Sequence, residues 1–234
     1  MKDAATTINN AKLIDLTKKG TIIIGTMRSG TNLTVALTKR KLIEMKVPHE
    51  SNGEYFIDIN ELGYAEQKYC YFNMIEHMQN VMATNTKYSV GTIVYPKLLD
   101  FIGYNPKTLA WYNENFHLVK LIRKNYLLHF MSHCIFSYSD KLPQYGIESI
   151  NEVGMPIPYK PTISEINWFI DRVLEHTRFP CDNVIAYEGL PHVPIGMVKK
   201  NVYKIEPEEF FENYDEVVEL LSVLEYNVCQ QVTQ

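Results

Sequence analysis

The chain has 234 residues, enough for one domain of ordinary size, and 46% of them are hydrophobic, enough for a full core. A formal charge of −4 is the wrong sign for a general nucleic-acid binder, whose affinity comes from a basic surface laid against phosphates, so any anion site has to be local. The first twenty residues lack an apolar signal core and no later apolar run approaches the length of about 18 residues that spans a bilayer, which predicts neither secretion nor a membrane span.

Residues 1 to 20 are polar and read as an arm ahead of the first strand. "TIIIG" (21 to 25) is β-branched and free of charge, as in a strand buried on both faces, and "TNLTVALTKRKLIEMK" after it sets Leu33, Ala36 and Leu37 at helical spacing. A second apolar run is "YSVGTIVYPKLLDFI", and a third, "FHLVKLI" (116 to 122), passes straight into a helical pattern through Leu127 or Leu128, Met131 and Ile135. A capping box from Thr162 to Glu165 opens a helix carrying Ile166, Phe169, Ile170 and Val173, and "NVIAY" (183 to 187) follows as a strand. The last helix is predicted to open at Pro207 and to run Phe210, Tyr214, Val217, Leu221 and Leu224 along one stripe. Strands alternating with helices predict a three-layer α/β fold, a mostly parallel sheet covered by helices, as a single domain over 21 to 234. Residues 139 to 161 hold four prolines and two glycines with no period, and a connection of that length is either functional or disordered. The four cysteines (Cys70, Cys134, Cys181, Cys229) share no C-x-x-C spacing and read as reduced thiols, which suits a cytoplasmic protein.

The junction "TIIIGTMRSGTNLT" carries the chemistry. Gly25 and Gly30 match the glycines of G-x-x-x-x-G-K-[ST], but Thr31 and Asn32 stand where lysine and the magnesium-binding hydroxyl belong, and the cation has moved forward to Arg28. A helix N-terminus after a parallel strand offers unpaired amides to an anion. Here those are the amides of Ser29, Gly30, Thr31 and Asn32, with Arg28 as a bidentate clamp for a second anionic group.

"MRSGTNLT" resembles the loop with which sulfotransferases hold the 5′-phosphosulfate of PAPS, 3′-phosphoadenosine 5′-phosphosulfate. The resemblance recurs. "LVKLIRKNYLLHFMSH" is similar to the family's strand-then-helix element, in which a basic residue at the strand end and a serine about eight positions on bind the 3′-phosphate; it implies Arg123 or Lys124, together with Ser132, and leaves the choice of cation open. "VPHESNGEYFIDIN" resembles the segment of bacterial trehalose and nodulation-factor type sulfotransferases that carries the general base, a role the resemblance transfers to Glu54, with His49 and Glu50 as nearby substitutes. "NVIAYEGL" and "VKKNVYKIEPEEFFENYDEVVELL" resemble the late strand and the C-terminal basic stretch; Tyr187 and Glu188 read as structural, while Lys199 and Lys200 are candidates to close over the 3′-phosphate. One departure stands out: at the place where related bacterial enzymes carry a strand lysine, this chain has Thr92.

The resemblance implies a P-loop-type sulfotransferase that moves a sulfuryl group from PAPS to a hydroxyl acceptor, a carbohydrate or other small molecule, releases 3′,5′-ADP and requires no metal. Seven histidines without an H-E-x-x-H pattern agree with the last point. Two readings stand against it: another P-loop phosphotransferase or kinase with a degenerate loop, and a nucleotide-binding protein that keeps the fold without turnover. Acceptor identity and oligomeric state leave no signal in the sequence.

Overall fold

The computed structural model describes residues 12–54, 87–93, 105–140, 158–190 and 206–232, with isolated helical positions at 76, 78, 79 and 83. They gather into two compact units, Met1–Ile122 with Arg178–Lys200, and Arg123–Thr177 with Asn201–Gln234.

In the first unit, β1 (Gly20–Ile24) is followed by α1 (Thr31–Glu44), β2 (His49–Glu54), β3 (Tyr88–Ile93), α2 (Pro106–Asn115), β4 (Phe116–Ile122) and β5 (Val184–Ala186). All five strands form one parallel sheet in the order β2-β3-β1-β4-β5. Every residue of β1 is buried, as its unbroken apolar run requires of the middle strand of a covered sheet. Ile23 faces α1 and packs with Leu33, Leu37, Val90, Val119, Leu121 and Ile185. Alternation along β4 turns Phe116 to the opposite face, where it meets Tyr112 of α2 at a ring separation of 6.0 Å. The expected α/β class, a parallel sheet flanked by helices, is therefore the observed one.

Helices α1 and α2 have chemically defined ends. Asn105 caps α2 by accepting from the amides of Lys107 and Thr108, and Pro106 follows where its missing N–H costs nothing. Lys18 donates to the last carbonyls of that helix, at Asn113 and Glu114. Helix α1 closes with Val47 N–H on Leu42 O and Lys46 N–H on Ile43 O, both 2.9 Å, a Schellman arrangement that puts Lys46 at φ 57 where glycine is usual.

The second unit contains α3 (Tyr126–Asp140), α4 (Ile163–Arg178), α5 (Pro207–Phe210) and α6 (Tyr214–Val232). Phe130, Met131, Ile166, Phe169, Phe210 and Leu221 belong to its apolar core. The predicted capping box is present: Glu165 Oε2 accepts from Thr162 N–H at 2.7 Å, and Glu165 N–H donates to Thr162 Oγ1 at 3.2 Å. The single helix expected from Pro207 onward is two. Phe211 is extended (φ −98, ψ 121) because it bridges Tyr159: Tyr159 N–H donates to Phe210 O at 2.7 Å and Glu212 N–H to Tyr159 O at 2.9 Å. A tertiary strand-like contact thus interrupts a pattern that is helical in sequence, while Phe210, Val217, Leu221 and Leu224 all stay buried.

Candidate anion-binding site

The loop after β1 is built around one carbonyl. Gly25 N–H still donates to Ile93 O at 3.1 Å, so the chain leaves the sheet at Thr26. Thr26 O then accepts from Ser29 N–H at 3.2 Å and from Ser29 Oγ at 2.7 Å, which curls the chain back on itself with Ser29 fully buried. A Cβ at Gly25 would overlap Ser29 Oγ and the Thr31 methyl, so the first glycine is a requirement of close approach. Within the curl Arg28 has φ 63 and Gly30 φ 97. A left-handed arginine costs on the order of 1–3 kcal/mol and persists where surrounding structure holds it, a pattern concentrated at ligand sites.

Gly30 is the N-cap of α1 and offers no side-chain cap, and the first turn carries no acidic residue. By contrast Asn105, Asn125 and Thr162 each accept from an amide at the start of α2, α3 and α4. The first N–H groups of α1 have no acceptor inside the helix and no side chain supplied from its start, and the helix dipole concentrates positive potential on them. Of the four amides expected to converge on a phosphate, that of Ser29 is committed to Thr26 O. The remaining three belong to Gly30, Thr31 and Asn32. The carbonyl of Gly30 is turned into the helix, accepting from Thr34 N–H at 3.0 Å and Thr34 Oγ1 at 3.1 Å.

Strand order makes this a candidate place for a ligand. The chain leaving β1 returns at β2, on one side of the sheet, and the chain leaving β4 returns at β5, on the other; β1 and β4 are neighbours. Their carboxyl ends therefore flank the topological switch point of the sheet, where open α/β folds open a crevice. Glu54 ends β2 at the same edge, in register with Thr92 and through it with Ile23. Two strand spacings put its backbone about 10 Å from β1. His49 and Glu50, in register with Tyr88 and Ser89, lie about 10 to 13 Å further toward the opposite edge. Register therefore sets Glu54 apart from the two substitutes. Thr92, at the position of the missing lysine, is buried in β3.

In the second unit the residues after β4 divide by exposure. Arg123 is buried at 6% exposure, Lys124 is exposed, and Asn125 caps α3 by accepting from Leu128 N–H at 2.9 Å. Ser132 on α3 is 1% exposed, and its hydroxyl has no hydrogen-bond partner among the described residues. Buried hydroxyls are nearly always paired, and a helical serine usually reaches the carbonyl one turn back. An orphan of this kind marks a place for a ligand atom or water. Lys199, Lys200 and most of the loop at 139 to 161 lie outside the described residues.

Two contacts were not read from the sequence, where Tyr187 reads only as structural. Tyr187, in the turn Tyr187–Gly189 after β5, lays its ring against Gly30, so that a Cβ there would overlap Cδ2 and Cε2 of the ring. Lys120, inside the apolar run of β4, is 9% exposed and donates to Phe179 O at 2.8 Å; burial lowers its pKa. Neither is visible from local pattern, since the partners are 157 and 59 positions away. Among the described residues no cluster of three or more His, Cys, Asp or Glu is arranged to hold a metal, and no helix is long and apolar enough to cross a membrane. Cys134 and Cys181 are free thiols, the first buried and the second half-buried.

Comparison of the chain with protein-family models, with curated proteins and with solved structures gives no match.

Proposed function

We propose that this protein is a sulfotransferase that passes the sulfuryl group of PAPS to a hydroxyl acceptor, a carbohydrate or another small molecule. The observation that carries the reading is the uncapped, acid-free N-terminus of α1, opening from a loop with a left-handed Arg28 at the carboxyl end of the central strand. The buried hydroxyl of Ser132, without a hydrogen-bond partner among the described residues, supports it from a second direction, because the sequence resemblance assigns that serine to the 3′-phosphate.

Each residue then has a task. The amides of Gly30, Thr31 and Asn32 bind the 5′-phosphate, and Ser29 holds the curl that aims them. Arg28 offers its guanidinium to the charge that grows on the 5′-phosphate as the sulfuryl group leaves. The 3′-phosphate falls to Ser132 with Arg123 or Lys124, and Lys199 and Lys200 are assigned to close over it. Glu54 takes the acceptor proton, a contribution of about 10²- to 10⁴-fold for a positioned carboxylate. PAPS supplies the activated sulfuryl group, so the chain's own contribution is positioning and charge stabilisation.

The test is a thermal-shift comparison of 3′,5′-ADP with ADP and with ATP-Mg²⁺, because a ligand that binds only the folded state raises the melting temperature by mass action. The reading expects the largest shift from 3′,5′-ADP. A larger shift from ATP-Mg²⁺ would transfer the loop to the kinase reading. Where 3′,5′-ADP binds but Glu54→Gln leaves sulfuryl transfer unchanged, the base assignment is wrong.

A further inference from the structure

We propose that Tyr187 is a positioning residue for the anion loop: its ring is the backstop that holds Gly30 in the left-handed conformation from which the first amides of α1 point outward. This rests on the reading of that loop as an anion site. Glycine populates positive and negative φ about equally, so φ 97 at residue 30 is not held by Gly30 itself. From the helix side, Thr34 holds the Gly30 carbonyl through its amide and hydroxyl. From the other side there is the ring of Tyr187, close enough that even a methyl group at residue 30 would collide with it.

The ring is anchored by its own strand. Tyr187 follows Ala186, which is in register with Ile122 of β4, and Leu190 N–H closes the turn on Tyr187 O at 3.0 Å. Leu190 is buried in the same apolar cluster as Ile23 and Leu33, and Tyr187 packs against that cluster. The side chain is thus fixed relative to β1 and α1 by the sheet. If Gly30 relaxed toward negative φ, the peptides on either side of it would rotate, and the amides of Gly30 and Thr31 would no longer share a focus. On this account the ring acts by filling space against Gly30.

The experiment is isothermal titration of the full chain with inorganic pyrophosphate and with 3′,5′-ADP, for wild type, Tyr187→Phe, Tyr187→Ala, Gly30→Ala and the Tyr187→Ala/Gly30→Ala double variant, with urea melts of each. Tyr187→Ala is expected to weaken both ligands about tenfold while remaining folded at the titration temperature, and Tyr187→Phe to restore binding. In the melts, Gly30→Ala should cost less stability in the Tyr187→Ala background than in wild type, because the collision with the ring is gone. Binding by wild type together with undiminished binding by Tyr187→Ala overturns the positioning role and leaves the anion site standing. Additive stability losses in the cycle overturn the backstop whether or not any anion binds. Failure of wild type to bind either ligand removes the anion site itself, and the positioning role with it.

Discussion

Ser29 gives both of its donors, the amide at 3.2 Å and the hydroxyl at 2.7 Å, to the single carbonyl oxygen of Thr26. The hydroxyl bond is fully buried, yet Thr26 O keeps the amide when the hydroxyl is removed, so the loss is that of one neutral hydrogen bond without an orphaned acceptor. Ser29→Ala is expected to lower unfolding stability by about 0.5–1.5 kcal/mol, read from the urea midpoint at unchanged slope. An unchanged midpoint would show that the curl stands without that bond.

Lys46 occupies the left-handed position of the Schellman motif at φ 57, a conformation that penalises a Cβ. Lys46→Gly relieves that penalty, offset in part by the greater freedom of glycine in the unfolded chain. The net expectation is a stabilisation of up to about 1 kcal/mol, with a higher melting temperature and unchanged ligand affinity. Destabilisation would mean that the Lys46 side chain makes a contact worth more than the strain.

Two described groups are expected to couple stability to pH, for different reasons. Burial lowers the pKa of His117 below 6.5, helped by the repulsion of Lys18 and opposed by a hydrogen bond to the Lys12 backbone and by the charge of Asp15. The Asn183 amide nitrogen sits 3.0 Å from His117 Nε2, which suits a neutral ring accepting there. Above pH 6.5 the ring is neutral in both states; below it the unfolded chain takes up the proton first, so stability declines as pH falls through the window under 6.5 and then levels. Asp15 is held below 3.8 chiefly by the Thr17 hydroxyl, and the stability it contributes above that value is lost as pH falls through its lower folded pKa. Denaturation curves of wild type and His117→Gln across pH 3 to 8 check the assignment. The substitution should remove the upper decline and leave the lower one.

The elements that local chemistry specifies were legible in the sequence. An uncharged β-branched run became β1, Thr162 and Glu165 closed their capping box, and the strand at "NVIAY" appeared as Val184–Ala186. What was missed depends on partners far away in the chain. β2 (His49–Glu54) has little apolar character and exists because the edge of β3 accepts it, and the helix predicted from Pro207 onward breaks where Phe211 pairs with Tyr159. The helix α2 carries a local signal, Asn105 followed by Pro106, but the apolar spacing after it is weak. The junction at 28 to 32 was legible because two glycines bracket a turn from strand to helix. That Ser29 turns its amide inward, that Glu54 shares the loop's edge while His49 does not, and that Tyr187 covers Gly30 follow from register and sheet order, which no local window contains.

Arg28 should not tolerate lysine. The proposed clamp uses the planar fork of the guanidinium, and an ammonium replaces two parallel donors with a point charge. Arg28→Lys is expected to keep the fold and much of the affinity for 3′,5′-ADP while reducing sulfuryl transfer at least tenfold, measured as turnover under saturating PAPS. Equal turnover in the two proteins would reduce Arg28 to a general positive charge.

The proposed recognition of one nucleotide at both its phosphates is measured most directly by the ratio of dissociation constants for 5′-AMP and 3′,5′-ADP, by isothermal titration in wild type and in Ser132→Ala. The expected result is a preference of at least tenfold for 3′,5′-ADP in wild type that shrinks in Ser132→Ala while affinity for 5′-AMP is retained. Equal affinity of wild type for the two nucleotides, or a preference that Ser132→Ala leaves intact, would contradict it.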